Sequence, residues 1–223
     1  MKKIIIWIVV IVLFVVIVLG GNLIIFERNG LKVSKGSPIS TYPTENPALL
    51  VIDIQEYTTG KLADMECYIT ASDSLIRKVN QIIDSAAIRR IPVIYVRSEV
   101  SNVLVNLLNN SIAKGSEGVA LDKRLNVVSD YIIPKQREDA FSNPQLDDIL
   151  VQQHINKLYV TGLDAAHCVK STMQAAKNRG YKVLAINDAI LAQSDSLKTK
   201  MLAEYKAGNI EIITSSEFLN SHD

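Results

Sequence analysis

Seven residues set the terms for this chain: Ala48-Leu49-Leu50-Val51-Ile52-Asp53-Ile54 is an almost unbroken apolar run. A run so short and so apolar reads as a β-strand buried on both faces, and such a strand needs a sheet covered by helices on either side. A carboxylate near its far end is out of place in a buried strand. Asp53 is therefore either a turn or helix cap or a functional group at a strand terminus.

The rest of the sequence supplies the covering helices and the neighbouring strands. Between Thr70 and Arg90, Leu75, Ile76, Val79, Ile82, Ile83 and Ala86 recur at helical spacing, behind Ser72 and Asp73 as start signals. Pro92 to Val96 and Tyr131 to Ile133 read as further strands, the second stopped by Pro134 and followed at once by Lys135. Asn143-Pro144 is a good N-cap and N1 pair for a helix through Leu146, Ile149 and Leu150. Leu158 to Thr161 is a strand that breaks at Gly162 into a tight loop, which delivers Cys168 to the start of a helix ending at Gly180. After a strand from Lys182 to Ile186, Asn187-Asp188 reads as a turn. A helix opened by Ser194 and Asp195 then closes at Gly208 before a last strand, Ile210 to Ile213. Alternation of this kind predicts an α/β fold, a three-layer α/β/α arrangement around a mainly parallel sheet.

Ahead of this region lies a segment of different character. Met1-Lys2-Lys3 precedes an apolar run from Ile4 to Leu19, and a second apolar patch, Leu23 to Phe26, follows Gly20-Gly21-Asn22. Through Phe26 the run has about 23 residues, roughly 34 Å as a helix, enough to cross a hydrocarbon core. Residues 1–26 read as a transmembrane anchor, embedded through residues 4–26. A cleaved secretory signal is the competing reading, but the run is long for one and no A-x-A-like site follows it. Basic residues flank both ends, Lys2 and Lys3 against Arg28, Lys32 and Lys35, so charge does not fix the orientation. A very short basic tail before a single span favours a domain outside the cytoplasm. Residues 27–47, with Gly30, Gly36, Pro38, Pro43 and Pro47 among polar neighbours, read as a linker, leaving residues 48–223 as the globular domain.

Composition excludes several classes. A formal net charge of +1, scattered Lys and Arg, and few aromatics give no footprint for nucleic acid. Two cysteines, Cys67 and Cys168, are too few for a disulfide framework, and Cys67 reads as a structural thiol. The histidines His154, His167 and His222 show no ligand spacing, so neither a metal site nor a cofactor is expected.

The candidate chemistry lies at the strand ends. In open parallel sheets, ligands bind outside the carboxyl ends of the strands near the switch in strand order. Asp53, Lys135 and Cys168 each sit at or just past such an end. A cysteine at a helix start has unpaired N–H groups and partial positive charge beside it, which favour the thiolate, although most lone cysteines are only small buried hydrophobes. A carboxylate to take its proton and an ammonium to steady the charge would complete a nucleophile, a base and an electrostatic partner. His167 points elsewhere on the helix start and reads as a loop residue, while Asp164 reads equally as a pocket residue or a cap.

Three motifs in order, Leu49-Leu50-Val51-Ile52-Asp53-Ile54-Gln55, Lys135-Gln136-Arg137-Glu138-Asp139-Ala140-Phe141 and Gly162-Leu163-Asp164-Ala165-Ala166-His167-Cys168-Val169, resemble the signatures of the isochorismatase-like cysteine hydrolases. That superfamily includes nicotinamidases and N-carbamoylsarcosine amidohydrolases. The resemblance runs from Pro47 to about Phe218. It implies a six-stranded parallel sheet and a catalytic triad of Asp53, Lys135 and Cys168. It also implies a non-proline cis peptide between Asp164 and Ala165, turning the N–H groups of Ala165 and Cys168 towards an oxyanion. Metal-binding members carry an Asp and two histidines after the first motif, whereas Ile54 to Asn80 holds no histidine. Thr58 replaces the family's usual aromatic five residues after the first aspartate.

By this resemblance the protein is expected to be a cysteine hydrolase cleaving a carbon–nitrogen bond of a small-molecule substrate, and by its apolar leader a membrane-anchored one. The pocket walls are expected from loops around Tyr57 to Met65, Arg97 to Ser101 and Gly115 to Gly118. Association into a homo-oligomer is left open, since similar enzymes often pair through helices beside the site. The rival readings are a tethered binding or scaffold protein that keeps the fold without turnover, and a surface redox thiol, for which no C-x-x-C partner exists.

Overall fold

The computed structural model describes residues 2–221. Met1, His222 and Asp223 lie outside them, and so does the end of the domain expected to reach residue 223. A helix, α1 (Lys2–Gly30), leads into strand β1 (Pro47–Ile52), then α2 (Glu66–Ile88), β2 (Val93–Ser98), the short α3 (Val103–Leu108) and β3 (Ile132–Lys135). There follow α4 (Pro144–Gln152), β4 (Lys157–Gly162), α5 (Cys168–Asn178), β5 (Lys182–Ile190), α6 (Asp195–Ala207), β6 (Glu211–Ile213) and α7 (Ser215–Asn220).

The six strands form one sheet in the order β3-β2-β1-β4-β5-β6, with every neighbouring pair parallel. β1 is central, and its alternation feeds two separate cores. Ala48, Leu50 and Ile52 face a cluster with Leu146, Val169, Met173, Met201 and Tyr205 from α4, α5 and α6. Leu49 and Val51 face the other side, with Leu75, Val79, Ile82 and Ile83 of α2 and Phe218 of α7. All six residues of β1 are buried, and each of its larger apolar side chains stabilises the fold by roughly 1.5–3 kcal/mol relative to exposure.

Several boundaries differ from the sequence reading, each for a local reason. α2 begins at Glu66, so Ser72 and Asp73 lie within it; Ser72 hydrogen-bonds back to the Ile69 carbonyl at 2.9 Å and Asp73 pairs with Arg124. β3 runs through Pro134 to Lys135 because it is an edge strand, where a missing N–H costs no ladder bond on the outer side. Asn187 and Asp188 continue β5 to Ile190, with Asp188 held by Lys78 and Ser215. α7, not anticipated, is opened by a capping box between Thr214 and Glu217.

The segment read as a linker is docked along much of its length. Residues 27–30 are the last turn of α1, and the chain beyond Leu31 has no helix or strand before Pro47. Val33 and Ile39 nevertheless pack on the core below α5. The Ser34 N–H donates to Asp139 Oδ2 at 2.8 Å, and the Arg179 guanidinium donates to Ser34 Oγ at 2.9 Å. The Ile39 N–H donates to the Arg179 carbonyl at 2.8 Å.

Candidate active site

The strand order reverses between β1 and β4, and the crevice there collects the ends of four strands. Asp53 follows β1 directly in the left-handed region, φ 54°, a conformation that Asp tolerates better than most residues. Its N–H donates to the Val96 carbonyl at 2.8 Å, and its own carbonyl accepts the Thr58 hydroxyl at 2.6 Å. Thr58 is thus a brace of this turn. Lys135 ends β3, opposite Ser98 at the end of β2. Cys168 is the first residue of α5.

The side chains meet. Lys135 Nζ lies 2.9 Å from Asp53 Oδ2 and donates to Cys168 Sγ at 3.1 Å and to Ser98 Oγ at 2.7 Å. Ser98 in turn donates to Asp53 Oδ1 at 3.1 Å. Gln55 locks Ser98 from behind: its Oε1 accepts the Ser98 N–H at 2.7 Å and its Nε2 donates to the Ser98 carbonyl at 3.0 Å. Asp53 and Lys135 are buried. Gln55 closes the first motif and Ser98 falls in an expected pocket wall, but neither is expected beside Lys135 from sequence; pairing β2 with β3 in register sets Ser98 there.

Burial here works on both titrating partners. For Lys135 it disfavours the ammonium, but the charges on Asp53 and Cys168 outweigh it and hold the lysine above its ordinary value. The Cys168 thiol is pushed up to about 12, by burial first and then by the Asp53 carboxylate, against the pull of Lys135. The helix start does not prevail, and the resting sulfur keeps its proton at neutral pH.

The loop before Cys168 corrects one expectation. The non-proline cis peptide lies between Leu163 and Asp164, one bond earlier than expected. The Ala165 N–H is spent on the Leu191 carbonyl at 2.8 Å, so it does not face an oxyanion. Among the described residues, the N–H groups of Asp164 and Cys168 are the ones left without an acceptor in this loop. The Asp164 carboxylate acts as a loop brace: Oδ1 accepts the Ala166 N–H at 2.7 Å and Oδ2 accepts the Tyr68 hydroxyl at 2.9 Å. His167, half exposed, sits 3.0 Å from Glu138 and away from the sulfur's partners.

Gly162 makes the crevice tight. It adopts φ 116°, and a Cβ there would stand 2.0 Å from the Ile52 carbonyl oxygen.

Cys168 and Lys135 line a cavity of about 200 Å³, together with Val100, Ile112, Phe26 and Gly30. Of the expected walls only the Ser98 to Val100 stretch takes part. The residues around Tyr57 to Met65 and Gly115 to Gly118 lie elsewhere, and the end of α1 stands in their place. Among the described residues, no group of three His, Cys, Asp or Glu side chains could hold a metal ion.

An isochorismatase-domain family model matches residues 47–217. The chain belongs to the isochorismatase family. Within this family, a ureidoacrylate amidohydrolase of Yersinia enterocolitica is 27% identical over 183 residues, 70% of this chain and 79% of that one. A probable inactive nicotinamidase of Arabidopsis thaliana is 28% identical over 187 residues, 78% of this chain and 94% of that one. Among solved structures, an isochorismatase-like hydrolase from Alkaliphilus metalliredigens superposes with a TM-score of 0.70 at 22% identity, covering 80% of this chain and 99% of that one.

Proposed function

We propose that this isochorismatase-family protein is a membrane-anchored cysteine hydrolase that cleaves the carbon–nitrogen bond of an amide or ureido compound. The observation that carries the reading is Lys135 Nζ held at once against Asp53 at 2.9 Å and Cys168 Sγ at 3.1 Å beside an open cavity. Similarity to a ureidoacrylate amidohydrolase supports the bond type.

In this reading the thiol is neutral until substrate arrives. Asp53 takes the Cys168 proton as the sulfur attacks the carbonyl carbon, and Lys135 steadies the negative charge as it passes through the sulfur. The N–H groups of Asp164 and Cys168 hold the tetrahedral oxyanion. Collapse breaks the carbon–nitrogen bond, the amine leaves with the proton from Asp53, and a thioester remains. Water then attacks the thioester with Asp53 again as base, and the sulfur recovers its proton.

The anchor is α1, 29 residues long, with an apolar run from Ile4 to Leu19 of which nothing is buried in the protein. A non-catalytic scaffold is the second reading, favoured by the relative described as probably inactive. The complete contact set around Lys135 argues against it.

The test is release of ammonia from a panel of small primary amides and ureido compounds by the parent and by Cys168→Ala. A loss of at least about a thousandfold is expected for removal of a nucleophile. A variant that keeps the parent rate would remove Cys168 from the mechanism.

A further inference from the structure

The membrane helix is a wall of the reaction cavity as well as a tether. Phe26 and Gly30, in its last two turns, line the same cavity as Cys168 and Lys135. A second cavity, of about 380 Å³, shares Phe26 and Gly30 and continues along α1 past Ile25 to Asn22, with the polar Ser101, Asn102, Gln136 and Arg137 on its other side. Asn22, Phe26, Asn29 and Gly30 recur at helical spacing and are half-buried, so one stripe of α1 is turned towards the domain. The Glu138 N–H donates to the Gly30 carbonyl at 3.1 Å, which fastens the helix end to the loop that follows Lys135.

Depth in a bilayer follows from length. From Ile4 a hydrocarbon core of about 30 Å is spanned after roughly 20 residues, so its far boundary falls near Leu23 and Phe26 belongs to the interface. Beside this stretch, α3 packs on α1 and leaves Val103, Leu107 and Leu108 at 71%, 75% and 65% exposure. An apolar surface continuous with a membrane helix fits the acyl region at that depth better than it fits water.

We infer that the substrate is an amphiphilic amide drawn from the bilayer interface, its carbonyl at Cys168 and its hydrocarbon tail passing Phe26 and Ile25 of α1 towards the membrane. This deepens the hydrolase reading and rests on it. Each methylene withdrawn from water along that path contributes to binding, so specificity is set by tail length.

The experiment uses the full chain in phosphatidylcholine nanodiscs and a series of primary amides from acetamide to dodecanamide, with ammonia as readout. Phe26→Ala is measured beside the parent, because both see the same partitioning of each amide into lipid. The parent's kcat/KM is expected to rise at least about tenfold along the series, a conservative figure for several buried methylenes. Phe26→Ala is expected to flatten that rise. In parallel, N-alkyl iodoacetamides from ethyl to dodecyl are applied, and labelling of Cys168 is read against Cys67 of the same chain by peptide mass. Their ratio should climb with chain length and lose the trend in Phe26→Ala.

Turnover of the short amides with no dependence on tail length, or the same dependence in both proteins, would overturn the lipid-facing substrate while leaving the hydrolase intact. Chain-length-dependent labelling of Cys168 with no hydrolysis of any amide would instead overturn the hydrolase reading, and the substrate class with it.

Discussion

At the scale of single residues, the site is governed by one buried ammonium serving three neighbours. Because Cys168 is pushed up to about 12, its thiolate fraction rises about tenfold per pH unit across the mildly alkaline range. Labelling of Cys168 by iodoacetamide, followed by peptide mass, should therefore climb with that slope from about pH 8 to pH 10. A plateau already reached near neutrality would contradict a resting thiol. The same groups are expected to weaken the fold in alkali. Cys168 and Lys135 both titrate higher in the folded protein than in the unfolded chain. Their contribution to stability is thus fully present below the unfolded thiol value of about 8.5 and is lost as pH rises through the folded values. Thermal melts should show Tm falling above about pH 9, and less steeply in Cys168→Ala. Ser98→Ala removes the hydroxyl bridging Asp53 and Lys135. It should lower kcat by about tenfold to a hundredfold, with a smaller change in KM, since the lost bonds position the base.

Elements explain what was legible from sequence and what was not. Asp53, Lys135 and Cys168 could be read together because each follows an apolar run that has to be a strand, and parallel strands bring their carboxyl ends to one rim. Ser98 gave no such signal: a serine after Tyr95-Val96-Arg97 looks like any loop entry until β2 is set in register against β3. Pro134 looked like a stop because its edge position depends on the strand order, which no local pattern contains. Residues 27–47 read as a linker by composition, since the partners of the docked part, Asp139 and Arg179, lie far along the chain. Arg179 is buried, paired with Asp147 at 2.7 and 2.9 Å, and stacked 4.4 Å from the Phe141 ring. Arg179→Ala should destabilise the protein by about 2–3 kcal/mol, because it strands part of a charge pair and frees the segment around Ser34. Urea unfolding measures the loss, and faster proteolysis between Leu31 and Pro47 checks the second half. Gly162→Ala, at the junction of β4 with β1, should cost about 2–4 kcal/mol or prevent folding, given the contact with the Ile52 carbonyl.

For the whole molecule, α1 and the sheet meet at one cavity. Alkaline carbonate extraction should leave the protein with the membrane pellet, and peptide mapping of that protein should still find residues 4–19. A chain beginning near Gly20 or Gly21 would identify the apolar run as a removed signal. The bond from Gly30 to Glu138 gives that choice a chemical meaning. Proteolytic shedding of α1 would strip away one side of the reaction chamber, so a released domain and a lipid-bound one would be two catalysts with different diets, made from a single gene product.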